Sequence, residues 1–360
     1  MRFKEHIRGL PAYKPARLLG GPTTAMVKLS SNENPLGPSP KALAALQKAI
    51  LQAHRYPDSA SLALRQALAA RAGLDVAQVI CGNGSDELIL LLCLAFLEPG
   101  DEVVLAEGTF ISYLLRTLEM GATPVRTPLR DYTYDLERMA AAITPRTRLV
   151  FVCNPNNPTG TAVNAEEVFA FVRRVPDDVL IVMDEAYAEF AAGPEYPDLL
   201  PEIRRGRANL ILLRTFAKIY GLAGLRLGYA YGHSEVIAYL ERTRPTFNVN
   251  LLAQLAGLAA LEDEEHVARS REHADNCRTF FMQELQALGL APVPSRTNFI
   301  AVPVGDDAMV SEALSARGFT VTPLAGWGVP GVIRVSFGTE EQNRGFIAAL
   351  REVLGKDRRG

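Results

Sequence analysis

The stretch RLVFVCNPNNPTGTAVNAEEVFAFVRRVPDDVLIVMDEAYAEF, residues 148–190, says most about the fold. It opens on an apolar run, residues 149–153, that does not alternate with polar positions. Such a run reads as a strand buried on both faces. It breaks into Asn154, Pro155, Asn156, Asn157 and Pro158, which together make a stiff polar turn. AEEVFAFVRRV, 165–175, then carries apolar residues at helical spacing, and VLIVM, 179–183, is a second buried strand ending in Asp184, Glu185 and Tyr187. A strand, a crossover helix and a second strand form the repeating unit of a parallel sheet.

The same alternation extends in both directions. Upstream, QVICGNGSDE (78–87) reads as strand, turn and helix start, DEVVLAEG (101–108) as a strand, 110–120 as a helix, TPVRTPL (123–129) as a strand and LERMAAAI (136–143) as a helix. Downstream, NLILLRTFAK (209–218) is a strand ending at a lysine, and LRLGYAYG (225–232) is one more. The expected class is α/β, a mostly parallel sheet sandwiched by helices. Before it lie two amphipathic helices, KALAALQKAI (41–50), which starts after Ser39 and Pro40, and SLALRQALAARAG (61–73), which stops near Gly73. The proline-rich first forty residues read as an extended arm. After Asn250 a long helical stretch leads to the strands NFIAVPV (298–304), FTVTPLAG (319–326) and VIRVSFG (332–338), a smaller α+β lobe. The expected division is an arm, 1–40, packing with the small domain; a large domain, 41–250; and a small domain, 251–360.

Composition narrows the function. The chain is 48% hydrophobic and 22% charged with a net charge of -2, a soluble globular balance with no electrostatic case for nucleic acid or an anionic membrane. The longest apolar run, LILLLCLAFL (88–97), is too short to span a bilayer. Cys81, Cys93, Cys153 and Cys277 show no paired spacing and read as reduced residues of a cytoplasmic protein. The histidines are scattered, and no metal site is expected.

One lysine stands apart. Between Lys48 and Lys356 the only lysine is Lys218, in RTFAKIYGLAGLRLGY (214–229); elsewhere in that span the chain uses arginine. Arginine supplies charge, but only lysine offers a primary amine for imine chemistry. Ligands of open parallel sheets sit beyond the carboxyl ends of the strands, where four polar clusters fall. In CGNGSDE, Ser85 opens a helix whose free N–H groups suit an anion. In NPNNPTG, Asn157 presents an amide. In MDEAY, Asp184 follows a buried strand and needs a cationic partner. Around Lys218, Thr215 and Arg226 can reach a phosphate. An amine, a buried carboxylate and a phosphate site together suit pyridoxal phosphate.

The motifs LSSNENPLGPSP, RYPD, GNGSDE, NPNNPTG, DEAY, RTFAKIYGLAGLR and IRVSFGT occur in this order. The chain resembles the fold-type I pyridoxal phosphate aminotransferases, and among them the histidinol-phosphate aminotransferase family, from about residue 7 to about 350. The resemblance implies that Lys218 holds pyridoxal 5'-phosphate covalently and that Asp184 pairs with its pyridine nitrogen. Asn157 and Tyr187 would bind its phenolic oxygen, and Ser85, Asp86, Thr215 and Arg226 would surround its phosphate. Phe110 would stack on the ring. Tyr56 would reach the cofactor of the other subunit, which implies a homodimer with shared active sites. Arg334 would bind the substrate anion, and Asn32 and Tyr13 on the arm would close over it. The implied reaction is transamination between L-histidinol phosphate and 2-oxoglutarate.

Three positions depart from the family pattern: Ala217 replaces a serine, Gly108 a proline, and Thr322 the arginine of a V-R-P motif that helps hold the substrate phosphate. Arg17 and Arg296 stand as substitutes for that arginine. Thr322 keeps open an aromatic amino acid aminotransferase. Two further readings are a threonine-phosphate decarboxylase and a non-catalytic regulatory homologue that binds the cofactor.

Overall fold

The structure, a computed structural model, describes residues 4–10 and 26–355; Tyr13 and Arg17 lie outside the described residues. Among the described residues twelve strands follow in order: β1 (Val27–Lys28), β2 (Val79–Gly82), β3 (Glu102–Ala106), β4 (Thr123–Thr127), β5 (Thr147–Cys153), β6 (Leu180–Asp184), β7 (Leu210–Thr215), β8 (Gly228–Gly232), β9 (Phe299–Pro303), β10 (Phe319–Thr320), β11 (Thr322–Pro323) and β12 (Val332–Ser336). Seven of them form one sheet in the order β2-β8-β7-β6-β5-β3-β4. The ladders from β4 through β3, β5 and β6 to β7 are parallel, as the apolar runs predict. β3 and β6 are buried at every residue, because helices such as Ile111–Glu119 and Ala165–Arg174 cover the sheet.

β8 is the exception, running antiparallel to both β7 and β2. Its link from β7 contains only the short 3₁₀ turn Ala223–Leu225 and no crossover helix, so the chain must return in the opposite direction. That link carries Lys218. The strand expected to run to the lysine stops at Thr215, where Phe216 N–H turns back to Leu227 C=O at 3.0 Å.

The small sheet is antiparallel, in the order β11-β12-β9. β1, on the arm, pairs with β10. The long helical stretch after Asn250 divides into Leu251–Leu261 and Glu264–Ala287, with Asp263 capping the second. Helix Leu251–Leu261 packs on helices Pro40–Ala49 and Leu62–Ala72. Ser39 caps Pro40–Ala49, and Gly73 ends Leu62–Ala72 with a left-handed φ of 64°. No described helix is long and apolar enough to cross a membrane.

Candidate active site

The parallel ladder sets β5, β6 and β7 side by side, so the residues just past each strand end meet at one edge. Cys153 and Asp184 are register partners at the ends of β5 and β6, and Asp184 pairs with Leu213 of β7. A cavity of about 180 Å³ opens there, lined by Ser85, Asp86, Phe110, Asn157, Asp184, Tyr187, Thr215, Ala217, Lys218 and Arg226, among others. The four polar clusters of the sequence thus converge on one site.

Asp184 is 3% exposed. Its Oδ2 accepts from the Tyr113 hydroxyl at 2.6 Å and its Oδ1 from the Ala186 N–H at 3.1 Å. Burial pushes its carboxyl up to about 6, against the pull of these two hydrogen bonds. Lys218 Nζ donates to Ser31 C=O at 3.2 Å. Burial first, then the charge of Arg334, holds its amine down to about 8. A fraction of the amine is therefore neutral near pH 7, as a nucleophile or base requires.

The anion end is a cradle. Helix Ser85–Phe96 starts at the cavity after Gly84, whose φ is +82°. A Cβ on Gly84 would sit 2.5 Å from an Arg226 Nη2, and one on Gly228 would sit 2.4 Å from the Ser85 nitrogen. The backbone against Gly228 leaves no room for a side chain, and the left-handed φ of Gly84 disfavours one there. Thr215 Oγ1 donates to Leu227 C=O at 3.2 Å and accepts from Ala217 N–H at 3.0 Å. The Asp86 carboxylate is held by the Ser112 hydroxyl and by Arg116 at 3.1 Å, which balances its charge beside the anion site. Gly108 has a φ of +67°. A proline ring fixes φ near −65°, so this loop has a turn that proline could not adopt.

On the facing side, Arg334 is 4% exposed and donates to Asn157 Oδ1, to Ser30 C=O at 2.6 Å and to Thr322 Oγ1 at 3.2 Å. Its guanidinium lies over Phe299 and Trp327, each 5.4 Å to the ring centroid. Its Nε has no hydrogen-bond partner among the described residues. Thr322 is its register partner and donates to Ser30 C=O at 2.9 Å. Asn32 Nδ2 donates to the Tyr187 hydroxyl at 2.8 Å, and Ser336 clasps Asn32 through two 2.8 Å hydrogen bonds.

Two residues named from the sequence lie outside this cavity, and the first of them was expected at a partner's site. Tyr56 is 82% exposed, stacks on Phe247 with centroids 4.7 Å apart, and does not line the cavity of its own chain. Arg296 pairs with Glu195 at 3.0 Å beside a different cavity, so it does not replace the arginine missing at 322. Sequence reasoning passed over Tyr113, Ser336 and Trp327. Only Tyr113 carried a signal, its place one helical turn after Phe110.

A lysine on a non-helical link beyond a parallel sheet, facing a strand-end aspartate, is the build of an aminotransferase. The family model for aminotransferase class I and II matches residues 24–350, and the chain belongs to that family. Within it the chain falls among the histidinol-phosphate aminotransferases. It is 46% identical to the histidinol-phosphate aminotransferase of Moorella thermoacetica, covering 98% of this chain and 92% of that one. It is 45% identical to histidinol-phosphate aminotransferase 2 of Pseudomonas aeruginosa, covering 99% and 96%. Its fold matches the crystal structure of histidinol-phosphate aminotransferase from Sinorhizobium meliloti in complex with pyridoxal-5'-phosphate, with a TM-score of 0.91 and 32% identity over 99% and 98% of the two chains.

Proposed function

We propose that this chain is a pyridoxal phosphate-dependent transaminase exchanging an amino group between L-histidinol phosphate and 2-oxoglutarate. The observation that carries the proposal is the meeting of Lys218, Asp184 and Arg226 on one cavity. Each matches a different group of the cofactor. The partly neutral Lys218 amine suits an aldehyde. The Asp184 carboxylate, without a cationic hydrogen-bond partner among the described residues, suits a pyridine nitrogen. The glycine-floored cradle of Ser85, Thr215 and Arg226 suits a phosphate. When bound, pyridoxal phosphate supplies a reactive carbonyl and a ring that stores the electron pair released at the substrate α-carbon.

The chain's own residues do the rest. Phe110 covers one face of the cavity, Asn157 and Tyr187 offer an amide and a hydroxyl, and Asp184 balances a positive ring nitrogen. The free Lys218 amine would be placed to carry the proton of the substrate α-carbon. Burial raises the pKa of Tyr187, so its hydroxyl stays protonated as a donor. Arg334 meets the substrate anion, a phosphate in one half-reaction and a carboxylate in the other.

The reading includes a homodimer in which Tyr56 serves the partner's site. The exposed Tyr56, Ile50, Leu51, Leu62 and Phe247, the first stacked on the last, support it, since large apolar side chains left in water call for a partner. It includes a cytoplasmic setting, supported by four buried, unpaired cysteines. It keeps an arm, a large domain and a small domain. The packing of Leu251–Leu261 favours placing the second boundary after that helix, and not at residue 250.

The test has two arms. Borohydride reduction of the cofactor-loaded protein is expected to label Lys218; a label on another amine would end the reading. Steady-state rates with 2-oxoglutarate are expected to rank L-histidinol phosphate above phenylalanine and tyrosine. A phenylalanine preference of about tenfold, about 1.4 kcal/mol in transition-state binding, would replace the substrate.

A further inference from the structure

We propose that Tyr113 is a positioning residue for this chemistry: its hydroxyl aims the Asp184 carboxylate while its ring fixes Phe110. The inference rests on the proposed function, because it assigns a purpose to the two side chains that would hold the cofactor ring. Tyr113 lies on helix Ile111–Glu119 and is fully buried. Its hydroxyl meets Asp184 Oδ2 at 2.6 Å. Its ring stacks on Phe151 of β5, with centroids 4.6 Å apart and planes 8° apart. The same ring meets Phe110 nearly perpendicular, at 5.6 Å and 81°. One side chain thus ties the carboxylate meant for the ring's edge to the aromatic meant for its face.

A phenylalanine would fill the same space, so packing does not require the hydroxyl. A buried tyrosine is used where its O–H has a partner. Here the partner is a carboxylate with few other supports. The ionisable groups around Asp184 are Glu185 beside it, Cys153 on β5, Lys218 on the link, and the phenols of Tyr134, Tyr187 and Tyr113 itself. Glu185 is held by Arg214 at 2.7 Å. Among the described residues Tyr113 is the one side chain that hydrogen-bonds Asp184. Burial and the neighbouring carboxylate raise the phenol's pKa well above its ordinary value, so the phenol remains a donor. A donated hydrogen bond favours the charged carboxylate, and so opposes the cost of burying it.

The experiment compares wild type, Tyr113→Phe and Tyr134→Phe. Tyr134 is an equally buried tyrosine whose hydroxyl serves Thr109 and the Cys153 N–H but not Asp184. Three quantities are read: pyridoxal phosphate affinity of the cofactor-free protein by fluorescence, the pH titration of the bound cofactor's absorption, and the acid limb of kcat/KM. Tyr113→Phe is expected to bind about tenfold more weakly and to move the acid limb up by about one pH unit. Tyr134→Phe should leave both near wild type. A second variant, 3-fluorotyrosine at 113, keeps the ring and strengthens the donor, and is expected to move the limb down. If wild type loads the cofactor on Lys218 yet both Tyr113 variants match it, Tyr113 is a packing residue only. If wild type loads nothing on Lys218, the functional reading falls and this inference falls with it.

Discussion

On the large-sheet side of the cavity, Asn157, Asp184 and Lys218 follow the ends of three adjacent parallel strands, each held in register by its neighbour. On the facing side, Arg334 and Thr322 come from the small sheet and Ser30 and Asn32 from the arm. They are joined by side-chain bonds between residues up to 304 positions apart. The first side inherits its geometry from backbone ladders. The second is tied by Ser30 C=O, which accepts from both Arg334 and Thr322, and by Asn32, whose φ of 57° is a left-handed conformation that asparagine tolerates better than most residues. On the proposed reading, reactivity belongs to the sheet, and selectivity to the arm and small lobe.

The largest expected effect strikes the sheet side. Lys218→Ala removes both the covalent anchor and the base, and turnover is expected to fall by about 10⁴-fold or more. Steady-state assay, with circular dichroism to show that the variant folds, checks it. Normal transamination would erase the distinction between the two sides. Next, Arg334→Lys keeps the charge but loses the planar fork, and kcat/KM for an anionic substrate should fall about 100-fold. If the sheet side sets cofactor affinity, that affinity should change far less in a fluorescence titration, by no more than the loss of the Arg334–Asn157 hydrogen bond allows.

A pH experiment isolates the sheet side further. The Lys218 amine, held down to about 8 in the cofactor-free protein, must lose its proton before it attacks an aldehyde. Pyridoxal phosphate uptake, followed by stopped-flow absorbance, should rise about tenfold per pH unit below pH 8 and level off above it. The smallest effect is at Thr322→Val, which leaves Ser30 C=O and Arg334 each without one neutral partner. KM for the amino donor should rise about fivefold with kcat little changed.

Much of this was legible in the chain. The unbroken apolar runs of β5 and β6 declared buried parallel strands, and the polar residues after them declared a site. Ser39 marked a helix start, and the isolation of Lys218 singled out a residue that lines the cavity. Other features left no linear trace. The reversal of β8 depends on the absence of a helix in a link whose sequence does not declare its direction. Thr322 stood out as a departure, but its hydrogen bonds to Ser30 and Arg334 arise only when β11 pairs with β12. Arg296 looked as available as any arginine until Glu195 claimed it.

The order of residues was enough to set the class of fold and to single out Lys218, the strand-end Asp184 and Ser85 after its turn as cavity residues. Those depend on local hydrophobic pattern and on residue chemistry, both of which act over a few neighbouring positions. Folding in three dimensions chose which groups face them: Tyr113 against Asp184, Arg334 against Asn157, and Asn32 against Tyr187. Hydrogen bonds between distant segments act over about 3 Å in space, a distance that separation along the chain does not encode.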